Sequence, residues 1–165
     1  QYRLQYKMTV REELYRQIKA HLDLIGINAA DELFIFDGEA DAEVYNRAVK
    51  HVDLWNHNVE FLEQETPWER PAVFIEFQPI KWKAIVTGVE YRADVFANLH
   101  VVTDWNEGDG IGEFQLLEKI HEVLAGLCGS NFMEFDIDTS MTNHNHEEVV
   151  ENIETYHCIG FRHLK

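Results

Sequence analysis

Nine histidines in 165 residues put metal chemistry first among the readings to weigh. His144 and His146 stand in Asn143-His144-Asn145-His146-Glu147-Glu148. On a strand, residues i and i+2 share a face, so both rings can share an ion with Glu148 or His157. Such a ligand set suits zinc or nickel. The neighbourhood reads as loop, however, spacing fixes no third ligand, and no H-E-x-x-H occurs. The expectation is no native metal site and no cofactor.

His100 and Asp104 lie four apart in strand-like sequence, with Asp94 on the same parity. They could form an acid–base dyad or simply the polar end of a strand. There is no G-x-S-x-G, Walker A or G-x-G-x-x-G sequence. Gly108-Asp109-Gly110-Ile111-Gly112 places glycines before a helix, but Asp109 and Glu113 would repel a phosphate there. The expectation is therefore no catalytic centre. Trp55, Trp68, Trp82 and Trp105 can anchor a core or a protein interface. Cys128 and Cys158 match no metal or redox spacing and read as buried thiols in a reducing compartment.

Fourteen basic residues against thirty acidic give a net charge of −16. That argues against a grip on nucleic acid, which needs clustered Lys and Arg. The acids are spread along the chain, and they serve either a solvated surface or one that must not adhere to DNA. No apolar run approaches the ~20 residues of a membrane span, and no secretory leader is recognisable. The length suits one domain, residues 8–165, with residues 1–7 as an N-terminal extension.

Positioning these residues falls to elements with clear periodicities. Thr9-Val10-Arg11-Glu12 is a capping box, and Val10, Leu14, Ile18, Leu22 and Ile25 follow at helical spacing, so a helix is predicted over 9–25 with Gly26 as its stop. Leu33 to Phe36 predicts a short strand, and Val44 to Val49 a helix near 41–50. Residues 51–58 fit helix or strand. Pro71 opens Ala72-Val73-Phe74-Ile75-Glu76-Phe77, a strand buried on both faces. With 80–87 and 93–103 it predicts a three-strand meander joined by short hairpins. Phe114, Leu117, Ile120, Leu124 and Leu127 predict a helix over 113–127. In 132–139, Met133, Phe135, Ile137 and Thr139 share one face, and Glu134, Asp136 and Asp138 the other. A last strand runs over 153–161. Strands cluster and helices flank them: an α+β two-layer sandwich, mainly antiparallel, with helices on one face.

This order carries a resemblance. An opening amphipathic helix and a variable segment are followed by Trp68-Glu69-Arg70-Pro71-Ala72-Val73-Phe74-Ile75-Glu76-Phe77, a hairpin, and a strand ending Leu99-His100-Val101-Val102-Thr103. A helix and two closing strands complete it, ending Tyr156-His157-Cys158-Ile159-Gly160-Phe161-Arg162. From Met8 to Arg162 the chain resembles the tail-terminator (tail-completion) proteins of long-tailed bacteriophages and related prophages. It departs from their smaller members in the acidic segment from Asn28 to about Lys50. The resemblance implies a homo-oligomeric ring, commonly a hexamer. Such a ring caps the tail tube, meets the head connector or neck protein, and needs no cofactor. The implied location is the virion tail or neck, reached from the host cytoplasm during assembly.

On that footing Trp82, Tyr91 and Trp105 are expected at the subunit interface. Glu107, Asp109 and Glu113, or Glu134, Asp136 and Asp138, are expected on the channel wall, where acids would keep DNA from adhering. Two other classes stay open: a different head-to-tail connector, and a small metal-dependent enzyme built on the histidines.

Overall fold

The computed structural model describes residues 7–37, 46–56, 68–104, 111–143 and 149–164. The first helix, α1 (Val10–Leu22), starts where the Thr9 hydroxyl accepts the Glu12 amide at 3.3 Å. Val10, Leu14, Ile18 and Leu22 form its buried stripe. The predicted extension to residue 25 does not form. The chain turns at Asp23 into β1 (Ile25–Ile27), which pairs antiparallel with β2 (Leu33–Ile35). Gly26 is therefore a strand residue rather than a helix stop, paired with Phe34 and bridged to Arg47.

Residues 46–50 are not helical either. The Ile27 amide donates to Asn46, Ala48 donates to Ile25, and Lys50 donates to Pro71. Ala48 and Val49 are buried by lying along β1 and the sheet, a tertiary gain that overrides the helical period. The remainder of the predicted 41–50 helix, residues 41–45, lies outside the described residues. The ambiguous stretch resolves as β3 (His51–Leu54), parallel to β4 (Ala72–Phe77).

The strands β5 (Lys83–Val86), β6 (Glu90–Asp104), β7 (Phe132–Asn143) and β8 (Val149–His163) complete the main sheet. Its order is β3-β4-β6-β8-β7, with β5 also paired to β6. β6 and β8 pair along their whole length, from Glu90 opposite His163 to Asp104 opposite Val149. The expected meander is only partly formed: β4 and β5 do not pair with each other. Both take the same side of β6, β4 against residues 97–102 and β5 against 90–92. Pro79 and the residues around it carry the chain from one partner segment to the next, and the Gln78 amide still donates to Phe96.

The second helix, α2 (Ile111–Leu124), buries Leu116, Ile120 and Leu124. Phe114, expected on that stripe, is 51 % exposed because it sits in the first turn, off the packed face. Gly126, at φ +79°, ends the helix, and its amide donates to Phe135.

Both helices pack on one face of the sheet. There Val73, Ile75, Val95, Leu99, Val101, Tyr156 and Cys158 meet Leu14, Ile18, Leu22, Ile120 and Leu124 in one core. The opposite face carries a smaller cluster of Ala72, Phe74, Val102 and Val149 under Trp55 and Trp68. The architecture is α+β, a mainly antiparallel sheet with helices against it.

Candidate functional site

β6 brings His100 to the helix-free face, and two neighbouring strands supply its partners. Nε2 of His100 lies 3.0 Å from Glu76 Oε1 on β4, and Nδ1 lies 2.9 Å from Glu151 Oε2 on β8. The ring stacks on Trp55 with centroids 3.7 Å apart and planes 2° from parallel. Asn98 donates to Glu76 at 2.8 Å and accepts from Gln78 and Thr155. Asn143 donates to Glu151 at 2.9 Å. The result is an imidazole held between two carboxylates, with His100 only 5 % and Glu151 only 3 % exposed.

Chemically this cluster is a hydrogen-bonded network that ties β4, β6 and β8 together. Both ring nitrogens are engaged and the ring face is covered, so no imidazole atom is presented to a substrate. Of the two readings of His100 and Asp104, the dyad does not form: Asp104 pairs with Arg70. Asp94 accepts from His157 at 2.8 Å, across the β6–β8 pair. Parity placed these three correctly on one face; it could not supply their partners.

His144, His146 and Glu148 lie outside the described residues. Among the described residues, no group of three or more His, Cys, Asp or Glu side chains could hold a metal ion. Cys158 is buried, and burial, with Asp94 nearby, pushes its thiol up to about 12. Cys128 is exposed, contrary to its expected burial, because it follows α2 in the turn before β7.

The expected interface residues divide. Trp82 is half-buried against the core, with the Arg162 guanidinium 5.2 Å above its ring. The Tyr91 hydroxyl accepts the Gly88 amide at 2.8 Å and so braces the turn between β5 and β6. Trp105 lies outside the described residues. Every residue of β5 is exposed, Ile85 at 55 % and Val86 at 50 %. An open strand edge with exposed branched apolar side chains is a place where another chain can dock.

The expected acidic groups divide as well. Glu107 and Asp109 lie outside the described residues, and Glu113 accepts the Thr103 hydroxyl at 2.9 Å. Glu134, Asp136 and Asp138 are exposed on β7, the last strand of the sheet, but they do not share a simple alternating face. Register shifts between Met133 and Asp136 and between Ile137 and Thr139 add extra residues, with Glu134 at φ +58°. Phe135 is buried while Met133 is 43 % exposed, so the predicted common face of Met133 and Phe135 is broken. His121 bonds Asp136 at 2.8 Å, and that bond, with the Ile137 amide, lowers the Asp136 carboxyl below its usual range.

The sequence reading missed a concentration of positive charge at the hairpin end. Lys7, Arg11 and Arg162 line a cavity of about 250 Å³ whose apolar surface includes Trp82, Phe161 and Leu164. Strand register places Lys83 opposite Arg92, and Arg92 opposite Phe161. The signal was hidden because these cations come from four separate stretches of an acidic chain.

Comparison with known proteins adds no relative: no family model and no curated protein matches this chain.

Proposed function

We propose that this chain is a structural protein of the phage tail, acting as a terminator. Copies assemble in a closed ring that caps the tail tube and presents a second surface to the head connector or neck protein. The reading rests on the order of elements from Met8 to Arg162 and on the two stretches Pro71–Phe77 and Leu99–Thr103. The observation that supports it most is the β5–β6 hairpin. Its outer strand is wholly exposed and apolar enough, through Ile85 and Val86, to gain from being covered. A head-to-tail assembly would cover that edge.

The acidity fits the same role. A terminator ring surrounds the path of ejected DNA, and basic side chains there would hold the polyanion through counterion release. Part of the acidic excess then faces the channel. Catalysis plays no part in this reading, and the buried His100 cluster serves to fix the sheet.

Particles assembled without this protein test the proposal. A terminator's absence leaves tube growth unchecked, so tails become overlong and varied in length. Tails of normal length, normally joined to heads, would refute it.

A further inference from the structure

Deepening the ring reading, on which it rests, we infer that the basic hairpin end docks on the acidic β7 edge of a second copy. Six exposed cations flank that end: Lys7, Arg11 and Arg162 around the cavity on the helix-packed face, Lys83 and Arg92 paired on the opposite face, and Lys81 two residues before Lys83 in sequence. They are six of the fourteen basic residues in a chain of net charge −16. Among the described residues, no carboxylate lies within 4.0 Å of any of the six, whereas Arg16, Arg47, Arg70 and Lys119 each have one. On β6 itself, Glu90 lies 3.8 Å from His163 and Asp94 bonds His157, so both carboxylates engage histidines. Like charges gathered without partners repel one another, and an acidic surface brought against them relieves that repulsion.

The same chain offers such a surface on the other side of its sheet. At the hairpin end the strands run β5-β6-β8-β7, so β5 and β7 are opposite edges. β7 exposes Glu134, Asp136 and Asp138. Glu134 and Asp138 have no cation within reach among the described residues, and Asp136 has only His121. A two-fold contact using one patch twice would press cations on cations. Charge therefore dictates a head-to-tail contact, basic edge to acidic edge, and such contacts close into rings when the rotation permits. The bulges at Glu134 and Asp138 disfavour extending the sheet through β7, so side-chain charge rather than strand pairing forms the contact. The apolar rim of Trp82, Phe161 and Leu164 supplies the water-excluding part. The β7 acids are then occupied by the neighbour, and the channel wall draws on other carboxylates.

Charge reversal on each edge tests this by sedimentation equilibrium. The basic-edge variant is K81E/K83E/R92E, and the acidic-edge variant is E134K/D138K. All five positions are exposed, so both variants should fold; K81Q/K83Q/R92Q gives a milder version if the first does not. The parent should self-associate at low ionic strength, and less so as salt shortens the screening length from about 30 Å to about 3 Å. Each variant alone should associate at least about tenfold more weakly. An equimolar mixture should recover, because the reversed edge of one complements the reversed edge of the other.

Variants that each associate like the parent would overturn the inference, as would a parent that stays monomeric at millimolar concentration in low salt. Binding of duplex DNA by the parent, lost in K81E/K83E/R92E, would also overturn it by assigning the basic edge to a polyanion. These results leave the terminator reading to its own test, tail length, and a failure there leaves the mixing result standing.

Discussion

Tyr156 shows how far a single side chain departs from its surroundings. It is fully buried, stacks on Phe135 with centroids 5.0 Å apart, and its hydroxyl has no hydrogen-bond partner among the described residues. Burial and the acids Glu154, Asp136 and Glu118 all push its hydroxyl pKa well above the usual tyrosine value. A buried hydroxyl without a partner costs free energy, whereas the ring that carries it fills the core. Tyr156→Phe is therefore expected to raise stability, by about 1 kcal/mol. Urea unfolding measures it, and a comparable loss would show that the hydroxyl is satisfied in solution.

Glu154 gives a pH-dependent counterpart. Burial raises its pKa above 4.5, outweighing the Ser140 hydroxyl, which donates to it and lowers it. A carboxyl whose pKa is raised by folding binds protons more tightly in the folded state, so stability falls as pH rises through that window. Glu154→Gln should remove this component. Its stability relative to the parent should improve from the unfolded-state pKa, near 4.5, upward. Equal slopes of stability against pH for parent and variant would contradict the assignment. At this scale the sequence was a poor guide. His100 and Asp94 were found by parity, but Glu76, Glu151 and Trp55 reach His100 from strands distant in the chain, and no spacing announces them.

Among the elements, β8 and α1 meet so closely that one glycine is required. A Cβ at Gly160 would come within 2.7 Å of Val95 Cγ2 and 3.4 Å of Val10 Cγ2. Val95 is buried and stiff, so Gly160→Ala should destabilise by about 1–3 kcal/mol. Thermal unfolding checks this, and an unchanged midpoint would mean that α1 shifts freely over the sheet.

Most elements were legible because local period and burial agreed: α1 from its stripe, β4 from its apolar run, β6 from its length. The failures share a cause. Residues 46–50 carried a helical period but found β1 to lie against, and β7 carried an alternating pattern that two bulges reset. Both outcomes are decided by partners elsewhere in the chain. The β4–β5 hairpin failed for the opposite reason: a short linker permitted pairing, but β6 was long enough to take both strands in succession.

For the whole molecule, charge is the organising quantity. A net charge of −16 was readable at once, and it argued against a nucleic-acid grip. What composition could not show is its polarity, with exposed cations around the β5–β6 end of the sheet and exposed acids along β7. The fold creates that separation by bringing residues 7–11, 81–92 and 162 to one end. In the proposed ring, that separation of charge would let one copy's basic end face the acidic edge of the next.

The proposed ring would stop the growth of a tail tube, and tail length reads that out. Electron micrographs of particles assembled with and without the protein give the length distribution. One sharp length is expected with the protein present. Without it, the distribution should be broad, with tubes far beyond that length and tails not joined to heads. One sharp length in both preparations, with heads attached, would contradict it.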